Sequence, residues 1–411
     1  MSEYDVVVVG AGLAGLRAAT RLAEAGCDVV VLEANDAVGG RERTDIVDGF
    51  RLDLGFHVLN PAYPAVRRWV DVDALTLRRF PVAVGVRLDD RVVRLAHPLR
   101  HPGSIAATLA SGLVRLTDVA ALARWAGPTL LSACTAKKGR DFSLDEGWDR
   151  AGLRGPLRDA VLEPFLAGVI ADERQETSDA FVRLLIRSFA RGRPGVPAAG
   201  IGALPAQLAD TARRAGAGIR LSHRVVSTRK RAHGWHLGVE GADAVTARTL
   251  VLASGLDHAL DAPHPRTRGL QTWWFAADEA PSADTALRVD GRRRGPIVNT
   301  AVMTNTAPTY APRGQHLIQA TCVMPSTATE DEVRRQLGEV WEADTRPWRL
   351  LRRDDIIHAL PVQDPPLRLR RPVRLDDGRY LAGDHRDTAS IQGALVSGQR
   401  AAEAVLADLA R

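Results

Sequence analysis

At 411 residues, with 45% apolar and 25% charged, the chain is long enough for two cored domains and has the balance of a soluble globular protein. Its three cysteines, Cys27, Cys134 and Cys322, lie far apart without CxxC spacing, which predicts free thiols, no bound metal and a cytoplasmic setting. The formal charge of +6 rests almost wholly on arginine, acids are interspersed, and the clusters Arg292-Arg293-Arg294 and 368–374 lack interleaved aromatics, so no nucleic-acid partner is expected.

The chain opens Met1-Ser2-Glu3-Tyr4-Asp5, reads as having no secretory leader, and enters a β-branched run predicted as a strand over 4–9. A helix follows over 13–25, with Leu16, Ala19, Leu22 and Ala23 on one face, and a second strand over 28–33. This is a βαβ unit of about 30 residues. Asp89-Asp90 reads as the turn of a hairpin over 80–95, and periodicity is helical from 103 to 190. Residues 192–197 are a glycine- and proline-rich crossing between domains. Beyond it come a helix over 203–215, a strand over 218–226, a hairpin around Gly241-Ala242-Asp243 and a buried strand over 249–255. The chain closes with a short strand at 380–382 and a helix over 391–409. No apolar run approaches the roughly 20 residues a membrane helix needs. Residues 104–131 are broken by Arg115, Asp118 and Arg124, and read either as a packed helix pair or as an amphipathic surface for peripheral membrane contact.

The pattern Gly10-x-Gly12-x-x-Gly15 is common taken alone, but here it follows a buried strand and opens a helix. Gly10 permits the tight turn, Gly12 lets a pyrophosphate approach the backbone at Leu13 and Ala14, and Gly15 allows close packing of helix on sheet. Glu33, followed by Ala34, ends the second strand where an acid meets an adenosine ribose. The sequel Val38-Gly39-Gly40-Arg41-Glu42-Arg43 adds a second close backbone approach and arginines suited to the diphosphate, which points to FAD rather than NAD.

These residues resemble the N-terminus of the flavin amine oxidase and phytoene desaturase superfamily, and Gly383-Asp384 with 389–398 resembles its C-terminal flavin motif. The resemblance implies a Rossmann-type (GR2-like) α/β domain binding FAD non-covalently, formed by 1–79, 196–265 and 356–411. It further implies an inserted α+β substrate domain over 80–195 and 266–355. It places Asp384 on the ribityl–phosphate chain and the backbone from Ile391 to Ala394, after Ser390, at the pyrimidine end of the flavin. With them it brings Gly55, Phe56 and His57 near the ring system, Val225 and Val226 along the adenine, and Ala253 and Ser254 at the end of the buried strand.

Within the superfamily, two departures argue against amine oxidation. Amine oxidases commonly use a lysine near flavin N5, and this chain has none after Lys230; where they carry an aromatic residue in the C-terminal motif, Ser390 stands. The tail is closer to phytoene desaturase-like proteins. The reading is therefore an FAD-dependent oxidase or desaturase that removes hydride from a hydrophobic or aromatic small molecule, with oxygen or a quinone as electron acceptor. A non-redox flavin-dependent isomerase, an amine oxidase and a non-catalytic binding protein like the GDP-dissociation inhibitors remain as alternatives. His57, His385 and Arg386 adjoin the flavin motifs and are candidates for proton handling, or for no more than bonding backbone and cofactor. Trp273, Trp274, Phe275 and Tyr310 are candidates for the substrate cavity, or for the core.

Overall fold

The computed structural model describes residues 3–96, 103, 105–254, 260 and 264–410. Strand Glu3–Val9 is the spine of a first, seven-stranded sheet, paired in parallel with Val29–Leu32 on one side and Val245–Leu252 on the other. Its valines alternate as a strand's period of two requires. Val6 and Val8 face a core under the helices Leu13–Ala23, Ala203–Arg214 and Ile391–Leu409, while Val7 and Val9 face a core with Val225, Trp235 and Leu237. Strand Gly218–Arg220 extends the sheet beyond Val29–Leu32, and Tyr380–Leu381 joins Val251 and Leu252 in parallel. Burial on both faces explains why these strands read as continuous apolar runs.

The second sheet has the order Arg349–Pro361, Thr267–Ala277, His316–Val323, Ile297–Val302, Leu287–Asp290, Ala83–Arg87, Val92–Ala96. Its pairings are antiparallel except between Leu287–Asp290 and Ala83–Arg87. Helix Glu330–Trp341, opened by a capping box between Thr329 and Glu332, covers one face over Trp273, Phe275 and Ile318. The helical stretch resolves into Ile105–Ala110, Leu116–Leu131, Leu144–Ala151, Glu163–Ile170 and Asp179–Arg191, centred on Trp125, Trp148, Leu166 and Phe181.

Three sequence expectations change. The single strand over 218–226 is two: the chain turns at Ser222 (φ 55°), whose N–H donates to Asn35 O, and resumes as Val225–Arg231 in a different pairing. That second strand forms an antiparallel hairpin with Gly234–Val239, hidden in the sequence because Ser227, Thr228, Arg229 and Lys230 give an edge strand no apolar alternation. The second arm of the hairpin expected around Gly241-Ala242-Asp243 and the strand expected over 249–255 merge into Val245–Leu252, and the expected end at Gly255 lies outside the described residues, as does Ser104.

Among the described residues no helix is long and apolar enough to cross a membrane, and no group of three or more His, Cys, Asp or Glu is placed to hold a metal. Helix Leu116–Leu131 nevertheless turns large apolar side chains to solvent, with Leu116 79% and Leu131 84% exposed.

Candidate cofactor cleft

A cleft of about 420 Å³ opens at the carboxyl ends of the central strands, where the first sheet meets the end of strand Arg349–Pro361. Ligands of parallel α/β sheets lie in this position. The three glycines of the turn act in different ways. Gly10 has φ 102°, and a Cβ there would stand 3.1 Å from the carbonyl carbon of Ala253 and the nitrogen of Ser254. At Gly15 a Cβ would fall 2.0 Å from Gly10 O, so this glycine seats the helix on the turn and does not line the cleft.

Gly12 is the informative one. Its φ of −73° and ψ of 176° suit any residue, and the nearest protein atom to a Cβ there is Gly39 O at 4.0 Å. Neither backbone nor packing demands glycine at this point. What the missing side chain preserves is open space at the amino end of helix Leu13–Ala23, which has no side-chain cap and no acid in its first turn. The first backbone N–H groups of that helix are thus left to the cleft, a ready site for an anion. Gly39 and Gly40 (φ 124° and 60°) form the opposing lip, with Gly39 bridged to Gly12.

Glu33 is buried where strand Val29–Leu32 ends, and protein donors hold its carboxylate: Ala11 N at 2.7 Å, Asn35 N at 3.0 Å and Asn35 Nδ2 at 2.7 Å. Ala34 and Asn35 line the cleft beside it. Arg41 ties the N-terminal and C-terminal motifs together. It pairs with Asp384 at 2.7 Å and donates to Ala359 O at 2.7 Å. Burial opposes the Arg41 charge, but Asp384 and Glu42 outweigh it and hold the guanidinium's pKa above its ordinary value.

Two ionisable groups in the cleft are displaced from their usual ranges. Burial raises the Glu42 carboxyl, with Asp384 adding to the effect and Arg41 and His57 opposing it. Burial pushes His385 down to about 4; Asp384 counters, while Arg386, Arg41 and Arg371 reinforce the shift. The His385 ring is therefore neutral at pH 7, and its Nε2 is buried without a hydrogen-bond partner among the described residues.

Of the residues singled out in the sequence, Gly10, Gly12, Leu13, Ala14, Glu33, Ala34, Gly39, Gly40, Arg41, Val225, Ala253, Ser254, Gly383, Asp384, His385 and Ala394 line this one cleft. The others do not. Arg43, expected near the diphosphate, is turned away by nearer acids, pairing with Asp45 at 2.7 Å and Asp36 at 2.8 Å. His57 Nε2 bonds Leu54 O at 2.8 Å, Phe56 packs edge-to-face on Phe80, and Gly55 lies against Ile356. Val226 points to solvent as its strand alternates. Ser390 is spent as the cap of helix Ile391–Leu409, accepting from Gly393 N at 3.2 Å, and Ile391 sits in the core. Arg386 donates to Pro372 O. The four aromatics are core rather than cavity wall: Trp273 and Phe275 lie under helix Glu330–Trp341, while Trp274 and Tyr310 fill a cluster with Phe50 and Leu52. Sequence reasoning missed Glu42, Asn35, Arg224, Thr267 and His358 as lining residues. Glu42, Asn35 and Arg224 adjoin residues the sequence had singled out, whereas Thr267 and His358 had no local signal.

A largely parallel central sheet with an uncapped, glycine-led helix terminus at its carboxyl edge, joined to a second, mainly antiparallel sheet, is a Rossmann-type α/β architecture. The chain belongs to the family of flavin containing amine oxidoreductases, whose model matches residues 13–406. A carotenoid 3,4-desaturase of Haloarcula japonica is 54% identical over 55 residues, covering 13% of this chain and 11% of that protein. A putrescine oxidase of Kocuria rosea is 51% identical over 69 residues (17% and 14%). A hydroxyneurosporene desaturase of Cereibacter sphaeroides is 35% identical over 163 residues (38% and 29%). The matches thus span under a third of these relatives. Among solved structures, a putative protoporphyrinogen oxidase from Exiguobacterium is similar with TM-score 0.72 at 17% identity, covering 99% of this chain and all of the other, a likeness of fold.

Proposed function

We propose that the protein binds FAD non-covalently in this cleft and works as an oxidoreductase on a hydrophobic or aromatic small molecule. The observation that carries the reading is the open, uncapped helix terminus at Gly12, with the held carboxylate of Glu33 on one side and the Arg41–Asp384 pair on the other. A diphosphate fits the free N–H groups, a ribose hydroxyl fits the lone pairs Glu33 has left, and the Arg41–Asp384 pair fits a polar linker along the cleft wall. FAD, when bound, supplies the hydride acceptor at N5.

The chain's own residues then orient and shield. The second sheet and its helices provide the substrate side, and Pro265, Thr267, His358 and Pro361 bring that side to the cleft. His385, neutral at Nδ1 or Nε2, offers a hydrogen bond to the cofactor or to a reacting proton without adding positive charge. Oxygen or a quinone would take the electrons. The apolar outer face of helix Leu116–Leu131, with Arg187 donating to Thr129 O and Leu130 O at its end, suits contact with an anionic bilayer that delivers an apolar substrate. Amine oxidation is the second reading, favoured by the putrescine oxidase match.

The test is direct. Purified protein, reconstituted with FAD if needed, is expected to show one flavin per chain by visible absorbance and to release it intact as FAD on heat denaturation. No bound flavin, or flavin that stays with the denatured chain, would refute the corresponding half of the proposal.

A further inference from the structure

A second, small cavity lies behind the end of strand Arg349–Pro361. Pro361 lines both it and the cofactor cleft, and Arg41 holds the same strand end from the cleft side through Ala359 O. Its apolar walls include Ile170, Phe181, Leu360 and Ala389, the last belonging to the C-terminal motif. Two of its polar residues are already satisfied: Arg268 pairs with Asp172 and donates to Thr177 Oγ1 at 2.6 Å, and Thr177 Oγ1 donates to Asp172 Oδ2 at 2.7 Å.

Gln363 is different. Its side chain is buried, 3% of the residue being exposed, yet both Nε2 and Oε1 lack a hydrogen-bond partner among the described residues. Its backbone is pinned, because Gln363 O accepts from Ser178 N at 2.7 Å. A buried carboxamide with both ends unpaired is costly and invites an occupant. The space beside it, about 10 Å³, admits one water-sized group. Within that volume a single group must donate to Oε1 and accept from Nε2. An ammonium only donates, a carbonyl or carboxylate only accepts, and a hydroxyl does both.

We propose that Gln363 receives a hydroxyl of the substrate, so the enzyme's substrate is an apolar molecule carrying an alcohol or phenol. The hydroxyl is held beside Pro361, the residue the small cavity shares with the cleft in which the reacting carbon would lie. The assignment rests on the flavin reading only for which carbon reacts; binding of the hydroxyl does not depend on it. A site built to bond a hydroxyl discriminates strongly against the analogue lacking it.

The experiment titrates the holoprotein with benzyl alcohol, toluene and benzylamine by ligand-detected NMR, with flavin content measured on the same samples. Benzyl alcohol is expected to bind at least about tenfold more tightly than toluene and than benzylamine. In Gln363→Leu, and in Gln363→Met should the first fold poorly, the alcohol-to-toluene ratio should fall to within about twofold with flavin content unchanged. Equal binding of alcohol and toluene by the native protein means that Gln363 holds only water and overturns the proposal, as does a preference that survives in Gln363→Leu or Gln363→Met. A native protein without flavin sinks the cofactor reading instead and leaves the alcohol-to-toluene ratio to be judged by itself.

Discussion

The two cavities that meet at Pro361 differ in how their polar groups are satisfied. In the large cleft Glu33 already accepts three hydrogen bonds and Arg41 already pairs with Asp384, so the carboxylate and guanidinium are held in place before any ligand arrives. In the small cavity the Gln363 carboxamide has no partner at either end among the described residues. A cofactor that stays bound rewards preorganised groups, whereas a substrate that comes and goes is best met by groups whose pairing it completes. The large cleft holds its charged side chains in place without a ligand, leaving His385 Nε2 and the helix N–H groups open, whereas the small cavity leaves its carboxamide unpaired at both ends among the described residues.

The largest effect that would break this contrast is at the floor of the cleft. Gly12→Val keeps a permitted backbone and meets no protein atom closely, so the fold should persist while flavin retention falls by roughly a hundredfold or more, read as flavin per chain against an unchanged circular dichroism spectrum. Collapse of the fold would show that Gly12 serves packing, like Gly15.

Next comes the histidine. His385 titrates near 6.5 when unfolded and is held down to about 4 when folded, so the unfolded chain binds more protons as pH drops through that window. Thermal stability should fall from pH 6.5 to 4 by up to ~3 kcal/mol, and His385→Gln should flatten this slope. The same dependence in the variant would locate the protonation elsewhere.

Removing one partner of the Arg41–Asp384 pair leaves Asp384 as a buried, uncompensated acid. With Arg41 about a third exposed, the loss in Arg41→Ala should be about 1–2 kcal/mol, and it should be partly recovered in the double variant with Asp384→Asn. Additive losses in that cycle would mean the two side chains are independent. Glu33→Ala is expected to weaken FAD binding about tenfold in equilibrium dialysis, since it removes a ribose partner and frees Ala11 N. Arg43→Ala should change flavin affinity by less than about twofold, because exposed pairs with Asp36 and Asp45 contribute little. A large effect there would restore Arg43 to the diphosphate.

Much of the large cleft was legible because it is local. Val6 to Val9 spell a strand buried on both faces, and Gly10, Gly12 and Gly15 each answer to a turn, an open approach or a helix contact within a few residues. Ala253, Ser254, Gly383, Asp384 and Ala394 could be placed only through the resemblance, since residues so far apart meet through sheet pairings that no short window contains. The second sheet was nearly opaque. Its aromatics, left between cavity and core by the sequence, are core: Trp273 and Phe275 pack under helix Glu330–Trp341, and Trp274 and Tyr310 pack with Phe50 and Leu52.

The sequence by itself determined the glycine-led strand–turn–helix, the acid that follows it and the alternating valines, since turn geometry and side-chain period are properties of neighbouring residues. Only the tertiary structure decided that Arg41 reaches Asp384 while Arg43 is taken by Asp36 and Asp45, and that Ser390 caps its helix. The same is true of Gln363, left without a partner among the described residues beside Pro361. The reason is competition: each of these side chains had several possible partners, and which one it met was set by how distant strands and helices packed.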